Sequence, residues 1–174
     1  MELMEVIAGR RSVRHFRPDP VPPEKVELLV QAANWAPSWR NLQGWRLFVL
    51  QGERKRELLA AVPETNRGRS GLEEAPLALV LVADPEQSGT REHKPYYLFD
   101  AGLAFAHLAL AAWNEGLGTC CITWFQEEKV RSLLKLPAHL AVVALSPLGY
   151  PAETPAAPAR RPWKEQVIFL DEGN

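Results

Sequence analysis

Three arginines, Arg10, Arg11 and Arg14, surround one hydroxyl, Ser12, near the start of the chain. Guanidinium groups bind oxyanions in a bidentate fashion and keep their charge at any ordinary pH, so this set suits a phosphate. Some 25 residues on, Pro37, Ser38, Trp39, Arg40, Asn41 and Gln43 form a second polar cluster that runs directly into an apolar stretch. Its amides and hydroxyl can orient a planar, polar ligand. Taken separately, each cluster has a plainer reading. R-R-S-V-R equally suits a solvated basic loop, and P-S-W-R-N-L-Q-G-W an ordinary helix-to-strand connection with Trp45 in the core.

The elements that must position these groups follow from hydrophobic spacing. Leu3, Val6 and Ile7 have helical spacing, with Gly9 as a stop. Pro22-Pro23-Glu24 opens a second helix whose face is Val26, Leu29, Val30 and Ala33. Trp45–Gln51 reads as a strand and Glu53–Val62 as a short helix. Leu77–Ala83 is an unbroken apolar run between Pro76 and Asp84-Pro85, which suits a central strand covered on both faces. Asp100–Trp113 is apolar nearly all round and reads as a buried helix, with Asp100 as its starting residue. Thr119–Trp124 and Ala141–Leu145 read as strands, and Lys129–Leu134 as a short helix. Gly149–Arg161 is rich in proline and alanine and reads as an extended arm, followed by a weakly alternating strand over Gln166–Leu170. A single α+β domain over residues 1–174 follows, with a mixed, mainly antiparallel sheet flanked by helices.

The 174 residues carry a net charge of −1, which gives no reason to expect nucleic acid or an anionic membrane as a partner. No apolar run approaches bilayer length, and the acidic N-terminus lacks the pattern of a signal peptide, so a cytoplasmic protein is expected. Cys120 and Cys121 are adjacent and read as a buried, reduced pair. The four histidines lack ligand spacing, so no metal site is expected. His107 reads as a satisfied core histidine. Neither a dinucleotide-binding G-x-G-x-x-G after a strand nor a P-loop is present.

The order R-R-S-V-R, then P-S-W-R-N-L-Q-G-W, then W-N-E-G-L-G-T-C-C-I-T-W-F, then S-P-L-G-Y-P with a basic pair resembles the nitroreductase family across nearly the whole chain. That resemblance implies non-covalently bound FMN, NADH or NADPH as hydride donor to flavin N5, and a small acceptor by a ping-pong route. Nitroaromatics, quinones and free flavins are the candidate acceptors. Reductive dehalogenation and flavin fragmentation occur on the same fold, and a non-catalytic FMN-binding module is a further alternative.

Carried over by position, Arg10 and Arg11 belong to the phosphate-binding set, with Arg10 at the ribityl-phosphate end. Ser12 and Arg14 would meet the pyrimidine side of the ring, where Arg14 would tune the flavin. Pro37, Ser38, Trp39 and Asn41 would face the flavin of a partner subunit. Ile122 and Thr123 would offer backbone amides near N5 and O4, with Gly118 permitting the turn before them. Gly149 and either Arg160 or Arg161 would complete the phosphate site. The resemblance also implies a homodimer with flavin at the interface and the C-terminal arm exchanged onto the partner. Departures are Gly44, where the family has proline and which should loosen the loop, and Arg40, whose size suits an extra ion pair. Asp84–Phe99 is the candidate substrate lid.

Overall fold

The computed structural model describes residues 1–170. Its centre is the expected apolar strand, β2 (Leu77–Ala83), every residue of which is buried. On one side it pairs antiparallel with β1 (Trp45–Leu50) and on the other with β6 (Ala141–Gly149). A short strand, β5 (Gly118–Thr119), extends the far edge, giving the order β1-β2-β6-β5. All these pairings are antiparallel. The mixed character comes from a parallel bridge between Ser12 and Thr119.

One face of the sheet is covered by α2 (Pro23–Asn34) and α5 (Tyr96–Asn114), which pack on each other and on β2. Leu29, Ala33, Leu79, Ala104, Leu108 and Leu148 form the core there. On the other face α3 (Gly52–Leu58), α4 (Arg69–Glu74) and α6 (Glu127–Leu134) enclose Leu58, Leu72, Val80, Val130 and Leu145. The first helix, α1 (Leu3–Gly9), lies against α5. Among the described residues no helix is long and apolar enough to cross a membrane.

Several local expectations are corrected. The helix expected from Asp100 begins at Tyr96, so Asp100 lies inside it and does not cap it. The carboxylate is buried because it accepts hydrogen bonds from Trp39 N–H and the Ser88 hydroxyl. Residues 119–124 do not form a continuous strand. The ladder breaks because Cys120 N–H donates to the Ser146 hydroxyl at 3.1 Å, and pairing resumes only at Ile122 with Leu145. Cys120 is buried but Cys121 is exposed, since neighbours on an extended chain point to opposite sides. His107 is half-buried, not core. The strand expected over Gln166–Leu170 is absent, because that segment meets no neighbour along the chain and its side chains stand in solvent.

Helix α4 was not anticipated. Its sequence, R-S-G-L-E-E, is short and carries a central glycine. Its C-terminal carbonyls are satisfied from outside. The ammonium of Lys55 donates to the carbonyls of Leu72 at 2.9 Å, Glu73 at 2.8 Å and Ala75 at 2.6 Å. A cation there also opposes the negative end of the helix dipole.

Candidate active site

The arginine segment is laid into the fold by backbone pairing. Val13 N–H donates to Thr119 O at 2.9 Å, Arg17 N–H to Tyr150 O at 2.9 Å, and Ala152 N–H to His15 O at 2.9 Å. Residues 12–17 therefore run between β5 and the start of the arm. Val13 and Phe16 point into the core, which turns Ser12 and Arg14 outward. Helix α4 fixes the same stretch from below. The Glu74 carboxylate accepts Phe16 N–H at 2.8 Å and faces His15 Nδ1 at 3.1 Å, and the Ser70 hydroxyl donates to Arg14 O.

Arg10, Arg11, Ser12 and Arg14 line a cavity of about 310 Å³. Its opposite wall is the arm, through Pro155, Ala156, Pro158 and Arg160. The two ends of the chain thus meet, as their arginines suggested. Of the adjacent basic pair, Arg160 faces this cavity and Arg161 is exposed beyond it. No carboxylate lines it, and none of the ion pairs among the described residues involves Arg10, Arg11, Arg14 or Arg160. The Nε of Arg11 is buried without a hydrogen-bond partner, although its Nη1 donates to Ala8 O and Arg10 O. Four cations without counter-ions, one with an orphaned buried donor, fit an oxyanion such as a phosphate. The charges of Arg14 and Arg10 also reach Cys120. Burial raises that thiol above its ordinary pKa, and the two cations pull against the rise.

Gly118 and Gly149 are paired across β5 and β6. Gly118 does not serve a turn, as the resemblance had implied. A side chain there would place its Cβ 2.7 Å from Val13, so the glycine lets the arginine segment approach the sheet. At Gly149 a Cβ would lie 2.6 Å from Pro76 and 3.2 Å from Phe16. Ile122 is buried and Thr123 exposed, following directly on the broken end of β5.

The second polar cluster is placed elsewhere. Pro37, Ser38 and Trp39 line a separate, mostly apolar cavity of about 420 Å³ with Tyr96, Phe99, Asp100 and Leu103. Asn41 is exposed beside it, its amide oxygen accepting from Gln43 Nε2 at 3.1 Å. A single chain therefore does not bring the arginine cavity and the Pro37–Asn41 segment together. Gly44 permits close packing in this loop. A Cβ there would lie 2.9 Å from Gln87 Cβ, and its carbonyl accepts Asp84 N–H at 2.7 Å. Arg40 makes no extra ion pair among the described residues, and its guanidinium stands over the Trp39 ring. Sequence reasoning missed Asp100 as the anchor of this loop. The signal available was a lone carboxylate in an otherwise apolar helix.

The family model described as the nitroreductase family matches residues 7–150. An NADH dehydrogenase of Thermus thermophilus is 34% identical, with 92% of each chain covered. A 5,6-dimethylbenzimidazole synthase of Rhodospirillum rubrum is 31% identical over 83% of this chain and 79% of its own. Among solved structures, a nitroreductase family protein of Clostridium novyi NT superposes with a TM-score of 0.84 at 35% identity, covering 88% of this chain and 87% of that one. A Desulfovibrio desulfuricans protein solved in complex with FMN superposes with a TM-score of 0.82 at 27% identity, covering 98% of both chains. The chain belongs to the nitroreductase family and is an enzyme of the oxidoreductase class.

Proposed function

We propose that the chain is an FMN-dependent oxidoreductase that takes electrons from NADH or NADPH and reduces a small acceptor, a nitroaromatic, quinone or free flavin, by a ping-pong route. The observation that carries this reading is the counter-ion-free arginine cavity built from both ends of the chain. Bound FMN supplies hydride transfer, accepting from the nicotinamide and delivering to the acceptor.

The protein's own part is to hold, orient and tune. Arg10, Arg11 and Arg160 hold the phosphate, with Gly149 contributing at the arm's base. Ser12 and Arg14 meet the polar edge of the ring, where the fixed cation of Arg14 favours the state with more negative charge. Ile122 and Thr123 offer backbone groups, and Gly118 allows the two segments to lie close enough to share the ligand. Pro37, Ser38, Trp39 and Asn41 are supplied by a second copy of the chain, since one copy keeps them in a different cavity. The assembly is a two-fold homodimer with FMN at the interface, and the C-terminal arm, past the cavity wall it forms in its own chain, continues onto the partner.

Flavin content and reduction test the reading. The purified protein should be yellow, with one FMN per subunit released on denaturation. Its flavin colour should bleach on anaerobic addition of NADH or NADPH and return with an acceptor. Colourless protein that takes up no added FMN would refute it.

A further inference from the structure

Asp100 is the one charged group in the wall of the cavity beside Trp39, and it is 6% exposed. Among the described residues it has no ion-pair partner. A buried carboxylate without a counter-ion is costly unless donors engage it. Two donors do, and they come from different parts of the chain. Trp39 N–H is shared between both carboxylate oxygens at 3.1 Å each, and the Ser88 hydroxyl donates to Oδ2 at 2.7 Å. Trp39 opens the turn before β1. Ser88 leads into a small hairpin formed by β3 (Thr90–Arg91) and β4 (Lys94–Pro95).

The turn after Trp39 needs such an anchor. Arg40, Asn41 and Gln43 have φ of 47°, 59° and 50°. Non-glycine residues avoid this region unless the surroundings impose it, and such residues cluster at functional sites. The turn is closed locally by Gln43 N–H on the Ser38 hydroxyl at 3.0 Å and by Leu42 N–H on Trp39 O at 2.9 Å. Asp100 ties it to α5, which packs on the sheet. The hairpin is seated on the same tryptophan. A Cβ at Gly89 would lie 2.4 Å from the indole, Arg91 Cζ stands 5.6 Å from the ring centroid, and Tyr96 stacks on the ring at 5.5 Å. Tyr96 N–H also closes the base of the hairpin on Gly89 O at 3.1 Å.

One carboxylate on α5 thus sets the place of the Pro37–Asn41 segment and of the hairpin together. Its chemistry suits the task, because both partners are donors and an ionised carboxylate only accepts. We infer that Asp100 is a positioning residue: by holding Trp39 N–H and the Ser88 hydroxyl on one carboxylate, it fixes the segment that one copy of the chain presents to the flavin of the other, with the hairpin locked to it. The inference rests on the reading that Pro37, Ser38, Trp39 and Asn41 face a partner's flavin. Asp100 acts through Trp39 and takes no part in the electron transfer.

Three variants test this. Asp100→Ala removes the acceptor, Asp100→Asn keeps one for Trp39 N–H, and Ser88→Ala releases the hairpin alone. Asp100→Ala should speed amide hydrogen exchange about ten-fold in peptides covering residues 36–44 and 88–96. Ser88→Ala should do so only in the second peptide, and Asp100→Asn should restore the protection of the first. In the flavin-loaded homodimer, Asp100→Ala should shift the visible flavin band and lower kcat/KM for a quinone acceptor about ten-fold. Pairing an Asp100→Ala chain with an Arg10→Ala, Arg14→Ala chain leaves one flavin, held by the first chain and faced by a segment that still has Asp100. Its band and its kcat/KM per flavin should return to wild type. A defect that persists in this heterodimer, or unchanged exchange in both peptides, would overturn the inference. Should Asp100→Ala not fold, Ser88→Ala carries the same comparisons, with the same results deciding. Failure of NADH and NADPH to bleach the bound FMN would instead overturn the flavin reading, and exchange in the flavin-free protein would still decide whether Asp100 sets the two segments.

Discussion

Arg10 and Arg160 come from opposite ends of the chain yet share one cavity wall to wall. Each should contribute a charge-assisted contact to a bound phosphate. Such contacts are worth about 1.5–3 kcal/mol, or roughly ten- to a hundred-fold in affinity. Arg10→Ala and the paired change Arg160→Ala, Arg161→Ala should each weaken FMN binding by that order in a fluorescence titration. Unchanged affinity in both would remove these residues from the site. Arg14 should behave differently, because on the proposed reading it would meet the ligand where charge develops. Arg14→Ala should lower the flavin's reduction potential more than it weakens binding, as read by spectroelectrochemistry. A residue that only packs would leave the potential where it was. Gly118 belongs to the same scale. Gly118→Ala drives a methyl to 2.7 Å from Val13, and overpacking of this kind costs about 1–3 kcal/mol. Thermal unfolding should show the loss, together with a weaker hold on FMN, because the displaced segment carries Ser12 and Arg14.

At the scale of elements, Lys55 ties α3 to the end of α4, which in turn holds residues 14–16 through Glu74 and Ser70. Lys55→Met keeps the aliphatic stem and leaves the three carbonyls without their donor. A loss of about 2–3 kcal/mol in chemical denaturation follows from leaving such groups unsatisfied. Burial lowers the Lys55 pKa, so the unfolded chain binds more protons at this position in the window below 10.5. The Lys55 contribution to stability should therefore rise with pH through that window and be absent from the Met variant.

The sequence announced some elements and concealed others for physical reasons. The strand at Leu77–Ala83 is legible because an unbroken apolar run between prolines has few other uses. The arginine cluster and the arm are legible because charge and proline stand out against an ordinary composition. Helix α4 is not, because its stability comes from a lysine 17 residues away in the chain. The break after Thr119 is hidden because a buried serine on β6 takes the place of a ladder partner. The role of Asp100 is hidden because a carboxylate near a helix start has a simpler explanation. That Gly118 and Gly149 serve packing becomes visible only when the neighbouring segments are in place.

For the whole molecule, the helix that reads as buried all round is not covered all round. Phe99 on α5 is 63% exposed, and Leu98, Gly102 and Ala106 lie open on the same helix. Beyond the arm, Ile168 and Leu170 are exposed at 84% and 85%, with Trp163 and Phe169 also in solvent. Surfaces of this kind mark an interface. In the proposed homodimer a second copy would cover both features, and an obligate interface of this kind should exceed roughly 2,000 Å² in total. Sedimentation at low micromolar concentration should show dimer alone. Mixing an Arg10→Ala, Arg14→Ala chain with a Ser38→Ala, Asn41→Ala chain should restore one intact site per heterodimer, detected as half the wild-type flavin content. A monomer that holds FMN at full affinity would refute the shared site.

The meeting of residues 10–14 with residues 155–160 also sets an order of events during synthesis. Chains emerge N-terminus first, and their domains begin to fold as they appear. The sheet and both helical layers are encoded before residue 150, so the body can assemble without the residues that close the cavity. The cavity wall from Pro155 to Arg160 appears only after them. On the proposed reading, capture of FMN would therefore follow the folding of the body. Released chains truncated after residue 150 should resist protease yet retain no flavin, and both properties should coincide only in the full chain.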